Sequence, residues 1–297
     1  MAKQFTVKGD RTLLEFMFES MSDKSRTTVK SYLTHRQVSV NDVVTTQFDH
    51  PLRDGDVVAV SADKGRPEFK HPMLRIVFED DYLLVIDKKY GLLSIATDKV
   101  QEKTAYHILS QYVKQSDPQN KVFVLHRLDR ETSGLMMFAK SQEIQQKMQT
   151  DWSNSVIERK YYAVTEGVPS QRKGRIESYL AENKAFNVYV TDEENGRLAI
   201  TDYVMLDDNG DYSLLELELE TGRKNQIRVQ LKEIGHSIAG DKKYGARTNP
   251  LGRIALHAGK IAFVHPVTGK EMSFESPLPY KFRSMFEKRY KNPKKKA

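Results

Sequence analysis

Residues 126–134 read His-Arg-Leu-Asp-Arg-Glu-Thr-Ser-Gly, which sets one carboxylate, Asp129, between two guanidinium groups, Arg127 and Arg130. Nearby positive charge favours the anionic form of a carboxylate. An anion can attack an electrophilic carbon or accept a proton, but it cannot donate one. The stretch therefore reads as a nucleophile or base on a loop. Thr132, Ser133 and Gly134 add hydroxyls and a tight bend, and an apolar run, 135–139, follows at once. A plain surface turn with solvated ion pairs is the competing reading of such a string. A second constellation, Thr221-Gly222-Arg223-Lys224-Asn225-Gln226-Ile227-Arg228-Val229, closes an alternating strand and opens a helix. Such a junction offers backbone N–H groups and arginines to an anion. A third, Lys160-Tyr161-Tyr162, puts two phenols in a strand.

The composition narrows the chemistry. The chain has 297 residues, 39% hydrophobic and 29% charged, with a net charge of +7 and a pI near 9.2. A packed core is expected, and the cationic surplus suits a polyanionic partner. With no cysteine, disulfides, thiolate catalysis and cysteine-ligated zinc are excluded. His126, His236, His257 and His265 lack metal-ligand spacing, and no phosphate-cradling or dinucleotide glycine pattern occurs. Neither a metal nor a cofactor is expected. No apolar run is long enough to cross a bilayer or to serve as a signal peptide, so a cytoplasmic, monomeric protein without membrane attachment is expected.

The positioning elements follow from periodicity. Residues 1–61 hold two short amphipathic helices and small strands at 38–40 and 57–60, with turns at Asn41-Asp42 and Asp54-Gly55-Asp56. Residues 62–73, with charge, Gly and two prolines, read as a linker. The main domain, 74–287, shows strands at 82–86, 121–125, 135–139, 160–165, 198–206 and 212–220. It also shows a helix around Ala105–Val113 and another capped by Ser141 that carries Ile144, Met148 and Trp152. The 212–220 strand is the clearest: Leu215, Leu217 and Leu219 alternate with Glu216, Glu218 and Glu220. The helix opened by 221–229 buries Ile227, Leu231 and Ile234. Strands with interspersed helices and short returns predict an α+β domain with a mixed, mostly antiparallel sheet. A basic tail, 288–297, closes the chain.

Taken together, these motifs resemble the RluA-type RNA pseudouridine synthases. The resemblance rests on His126-Arg127-Leu128-Asp129-Arg130 with Thr132-Ser133-Gly134, on Thr221-Gly222-Arg223 with Gln226-Ile227-Arg228-Val229, and on the Lys-x-Tyr pattern read as Lys160 and Tyr162. Further matches are Asp87-Lys88 with Gly91-Leu92, Gly240-Asp241, and 253–258 with Leu256. Lys89 replaces a usual proline, and Asn225 and Gln230 stand where the family usually has histidines. The resemblance implies isomerisation of uridine in RNA to pseudouridine. Asp129 would be the nucleophile or the base that withdraws a ribose proton, Arg228 its partner and Tyr162 the ring against the uracil. It further implies substrate contacts from His126, Arg127, Leu128, Arg130, Thr132, Ser133, Gly134, Lys160, Gly222, Arg223, Gln226 and Leu256.

Residues 1–61 resemble the S-four RNA-binding domain through Ser25-Arg26, 38–41 and Gly55-Asp56-Val57, although His35-Arg36-Gln37 stand where that pattern often has a glycine. Arg26, Lys30, Arg36 and Asn41 are then the expected RNA contacts, and large-subunit ribosomal RNA the expected partner. Three alternatives are a transfer-RNA pseudouridine synthase, a non-catalytic RNA-binding ribosome-assembly factor, and a metal-dependent nuclease or phosphatase built on Asp129 and Asp241.

Overall fold

The computed structural model describes residues 3–62, 69–96 and 102–287. Half of the expected linker, 63–68, and the whole of the basic tail therefore lie outside the described residues. The chain divides into two compact units, Met1–Lys70 with Gln111–Asn120, and His71–Ser110 with Lys121–Ala297. Residues 111–120 thus group with the first unit, whereas the sequence reading places them in the main domain.

The first unit is built on a four-stranded antiparallel sheet. Its strands are β1 (Lys3–Thr6), β2 (Val38–Val40), β3 (Val43–Val44) and β4 (Val57–Val60), in the order β1-β4-β2-β3. Two helices accompany it, α1 (Leu13–Ser20) and α2 (Arg26–Thr34). Leu13, Met17, Val29, Val38 and Val58 form the middle of its core. Ser25 caps α2, its hydroxyl accepting the Thr28 N–H at 3.2 Å. Asn41 and Asp42 both take positive φ, 48° and 67°, which suits the two-residue turn between β2 and β3. Arg36 has φ 55°, so it occupies a left-handed position that favours glycine.

The second unit is dominated by one eleven-stranded sheet. In chain order its elements are β5 (Leu74–Glu79), β6 (Leu83–Lys88), α3 (Ala105–Lys114, whose C-terminal end groups with the first unit), β7 (Phe123–Val124), β8 (Ser133–Ala139), α4 (Gln142–Thr150), α5 (Trp152–Ser155), β9 (Val156–Glu166), β10 (Lys173–Glu182), β11 (Val188–Thr191), β12 (Arg197–Asp208), β13 (Tyr212–Leu219), α6 (Gln226–Glu233), β14 (Leu256–Val264), β15 (Glu271–Glu275) and α7 (Tyr280–Glu287). The strand order is β11-β10-β12-β13-β9-β14-β8-β6-β5, with β15 on β14 and β7 on β8. Every pairing is antiparallel except β8 with β14. The expected mixed, mostly antiparallel α+β architecture is the one observed.

One face of the sheet packs Leu215, Leu217, Ala163 and Leu256 against Ile227 and Leu231 of α6. This is the wet-and-dry alternation of β13 put to use, since Glu218 on the other face is exposed. Ser141 caps α4 as expected, accepting the Ile144 N–H at 3.2 Å, but α4 ends at Thr150 and Trp152 starts the separate turn α5. Ile234 is not buried: it terminates α6 and is 37% exposed.

The parallel pair β8–β14 is unusually close. Gly134 has φ +113°, and a Cβ there would sit 2.1 Å from the Ala258 carbonyl oxygen. Glycine is required on both counts. Gly134→Ala is expected to cost about 2 kcal/mol or more, roughly 4–8 °C in Tm. Thermal unfolding checks this, and an unchanged Tm would refute the close approach.

Candidate active site

The loop carrying Asp129 leads into β8, and it is held almost carbonyl by carbonyl. Lys88, the last residue of β6, is completely buried. Its ammonium donates to the carbonyls of Thr132 at 2.7 Å, Leu92 at 2.8 Å, Lys89 at 3.2 Å, Asp129 at 3.3 Å and Arg130 at 3.4 Å. Burial draws the Lys88 pKa down to about 7; Arg253 acts in the same direction, and Asp129 and Glu131 oppose it. Ser94 grips Leu128 twice, donating to its carbonyl at 2.6 Å and accepting its N–H at 3.1 Å. Arg130 is exposed and leans back on the Gly91 carbonyl at 3.2 Å.

Ser133 lies behind the loop. It accepts from Arg253 at 2.9 Å and lies 2.9 Å from Nδ1 of His257. With its lone pairs facing Arg253, the serine hydroxyl donates to His257, and Nε2 carries the imidazole proton toward the Ser276 carbonyl. Burial holds His257 near pKa 4, consistent with this neutral form. His126 is likewise structural. Its Nε2 accepts the Met137 N–H at 3.1 Å, and burial, with Arg159 adding to it, lowers its pKa to about 3.

Arg228 crosses from α6 to meet the loop. It donates through Nε and Nη2 to both oxygens of Asp241, at 2.6 and 2.9 Å, and through Nη1 to Oδ2 of Asp129 at 3.0 Å. Burial works against the cation, but Asp241 and then Asp129 outweigh it and the Arg228 pKa is raised. The Tyr244 ring lies 4.9 Å from the guanidinium. The two carboxylates differ in access: the Asp241 side chain is 1% exposed and that of Asp129 29%. The inner acid fixes the arginine, and the outer acid keeps an open side.

That open side faces a cavity of about 390 Å³ lined by Asp129, Thr132, Tyr161, Asn225, Arg228 and Leu256, with Arg127, Leu128, Arg223 and Gln226 also on its wall. Gln226 is mostly committed to the fold: its oxygen accepts from Thr221 and from the Arg223 N–H, and its amide donates to Ile200 and Thr201. Asn225, left-handed at φ 52°, donates to the Tyr244 hydroxyl at 2.8 Å.

The comparisons with known proteins agree with this geometry. A family model described as RNA pseudouridylate synthase matches residues 82–233. An uncharacterised RNA pseudouridine synthase of Bacillus subtilis (strain 168), YlyB, is 34% identical over 94% of this chain and 94% of its own length. The chain belongs to the RNA pseudouridine synthase family. Ribosomal large subunit pseudouridine synthase D of Haemophilus influenzae is 30% identical, covering 94% of this chain and 90% of that one. The solved structure of human RNA pseudouridylate synthase domain containing 4 superposes with a TM-score of 0.58 at 25% identity, over 70% of this chain and 90% of that one. As a pseudouridine synthase, the protein isomerises uridine in RNA.

Two sequence expectations fall on the wrong face of β9. Tyr161 pairs with Leu217 and Ala258 and lines the cavity. Tyr162 pairs with Glu216 and His257 on the opposite face, and its ring packs on Gly259, where a Cβ would be 2.4 Å from it. The tyrosine at the pseudouridine synthase pocket is therefore Tyr161. Lys160 shares the face of Tyr162, bound to Glu158 at 2.9 Å and Glu216 at 3.4 Å, so it does not reach the pocket. A one-residue slip in a strand reverses every side chain.

Gly222 makes no cavity wall at Asp129 but admits Arg159: a Cβ there would be 2.7 Å from its Nη1. In the first unit, Asn41 is engaged by the fold, donating to Asp56 at 2.9 Å and accepting the Val57 N–H at 2.9 Å. Arg26 and Lys30 are exposed and Arg36 partly so. Asp129 and Asp241 face each other across Arg228, and among the described residues no third His or acid joins them as a cation cage would need.

Lys88, Ser94 and Arg253 carried no assigned role in the sequence reading, and Asp241 entered only as a motif letter and as an acid of the metal-dependent alternative. Lys88 was visible only as a motif letter; a lysine ending an apolar strand was the available signal.

Asp241→Asn is expected to lose about 3 kcal/mol or more of stability together with activity, since it leaves Arg228 buried with one ionic partner fewer. Denaturant melts alongside product assays read both, and a stable, fully active variant would contradict the bracing role. The neutral histidines also set an acid limit. Below about pH 6.5 the unfolded chain takes up protons that folded His126 and His257 refuse, so stability falls as pH drops toward 4. In His126→Asn the fall in Tm between pH 7 and 5 is expected to be shallower than in the wild type; equal slopes would exclude the imidazole as a cause.

Proposed function

We propose that the protein converts uridines of large-subunit ribosomal RNA to pseudouridine in the cytoplasm, with Asp129 as the reacting carboxylate. The observation that carries the assignment is one anion, clamped from behind by Arg228 and open to a cavity walled by Tyr161 and Leu256. Support for the ribosomal target comes from relatives named for the large ribosomal subunit and from the net charge of +7. The first unit, with exposed Arg26 and Lys30, is read as an S-four-like module that adds phosphate contacts.

The reaction breaks the bond from N1 of uracil to C1′, turns the base, and joins C5 to C1′. C5 loses a proton and N1 gains one, so nothing is consumed. A stacked uridine cannot reach a carboxylate on a walled loop, so the nucleotide must be flipped out, at about a few kcal/mol of unstacking. Whether the carboxylate attacks C1′ or withdraws a ribose proton, it must be anionic and fixed in direction. Arg228 supplies the direction, and Lys88 and Ser94 fix the backbone beneath it. Burial raises the pKa of Tyr161, so the phenol is neutral. It packs against the freed uracil and stands beside C5 when that carbon sheds its proton. Leu256 closes the apolar side.

Asp129→Asn is expected to fold and bind RNA normally while losing about a thousandfold or more in turnover. Tyr161→Ala is expected to lose activity and Tyr162→Ala to retain it. Pseudouridine mapping across total RNA, with the wild type or each variant restored to cells lacking the protein, checks the reaction and its target together. Wild-type modification by Asp129→Asn would sink the mechanism, and a site outside large-subunit RNA would sink the target.

A further inference from the structure

A second and larger cleft, enclosing about 940 Å³ and open to solvent, adjoins the uridine cavity. Arg127, Tyr161, Leu219 and Arg223 line both, so the two are continuous. The new wall is made by Trp152, Arg159 and Gln149, together with Leu125, His126 and Gly222. Three arginines face this space, and among the described residues no acidic side chain lines it.

The parts are arranged for a ring and an anion side by side. Trp152 is partly exposed. Its indole packs against the tilted His126 ring, with centroids 5.7 Å apart, and the Arg159 guanidinium lies 5.9 Å from it. Arg159 is itself anchored, donating to the Leu219 and Glu220 carbonyls at 3.1 and 3.2 Å, with its Nη1 lying close over Gly222. Arg223 is tethered through Nε to the Leu198 carbonyl at 3.0 Å. Arg127 is exposed and makes no hydrogen bond or ion pair among the described residues. An aromatic face flanked by guanidinium groups recognises a nucleic-acid base with its phosphate, and does so without sequence preference.

We propose that this cleft holds the nucleotide adjoining the target uridine, its base against Trp152 and its phosphate among Arg127, Arg159 and Arg223. The proposal rests on the reading of RNA as substrate. It gives the enzyme a grip on the strand beside the flipped uridine, so that binding energy gained on a neighbour offsets the unstacking of the target. Trp152 acts in binding and not in the chemical step.

Trp152 is the chain's only tryptophan, so its emission reports on this cleft. In the full-length Asp129→Asn protein, uridine 5′-monophosphate, which suffices for the uridine cavity, is expected to leave the emission unchanged. Single-stranded decauridylate is expected to quench it by roughly a third or more, as a base stacks on the indole. Trp152→Leu is expected to weaken decauridylate binding about tenfold, read by anisotropy of end-labelled RNA, and Trp152→Phe to restore most of it. On an RNA fragment carrying the mapped uridine, Trp152→Leu raises KM and leaves kcat near wild type. Absence of quenching by decauridylate, or equal affinity of Trp152→Leu and wild type, overturns the proposal while leaving the isomerase reading intact. Quenching with no pseudouridine formed by the wild type would instead uphold the cleft and defeat the isomerase reading.

Discussion

The candidate site depends on a guanidinium shared between two unequal carboxylates. Arg228 gives two parallel N–H groups to sealed Asp241 and one to accessible Asp129. Asp241 occupies Nε and Nη2 and so fixes the plane of the guanidinium, which leaves Nη1 aimed at Asp129. With the inner acid sealed, the outer one can be turned toward a substrate without dragging the arginine along. Desolvating such a triad costs several kcal/mol, so the interaction is better understood as positional than as stabilising. The surrounding structure bears that cost through the apolar packing of α6 on the sheet.

The second constraint is on backbone, not side chain. A loop of alternating charge has no reason to hold one conformation, and Asp129 needs one. Lys88 and Ser94 supply it by satisfying the loop's carbonyls from underneath. Five carbonyl oxygens around one buried amine form a solvation shell made of protein, and they leave the outer surface of the loop to the substrate. The division of labour is consistent: groups below the loop are buried and fully engaged, whereas Arg127 and Arg130 above it are exposed.

Much of this was legible in the residues. The β13 alternation and the Ser141 cap follow from period and cap chemistry, and the approach of Arg228 to Asp129 is what the family resemblance implies. What failed was whatever depended on which face of a strand a residue takes. Adjacent Tyr161 and Tyr162 are chemically alike, so composition could not rank them, and only the pairing of Tyr161 with Leu217 decides. The strand β10, Lys-Gly-Arg-Ile-Glu-Ser-Tyr-Leu-Ala-Glu, was missed because its buried residues, Ile176 and Leu180, are four apart and imitate a helix face. In β14 the strand signal was hidden by burial on both faces and by Gly259, the residue skipped where β9 and β14 lose register. Lys88 could not be placed, since a lysine is expected in water unless its partners are known.

The single parallel pairing of the sheet has a kinetic corollary. A parallel neighbour cannot be reached by a hairpin, and between β8 and β14 the chain lays down α4, α5, five other strands and α6 before it returns. Ser133 therefore waits for a partner 124 residues downstream, and Asp129 for one 99 residues downstream. Contacts this distant close late and slowly, because loop entropy must be lost before they reward it. During synthesis the acid-bearing loop leaves the ribosome long before the elements that aim it. Until translation has delivered α6 and the strand that begins at Leu256, the loop lacks both its guanidinium partner and its parallel neighbour.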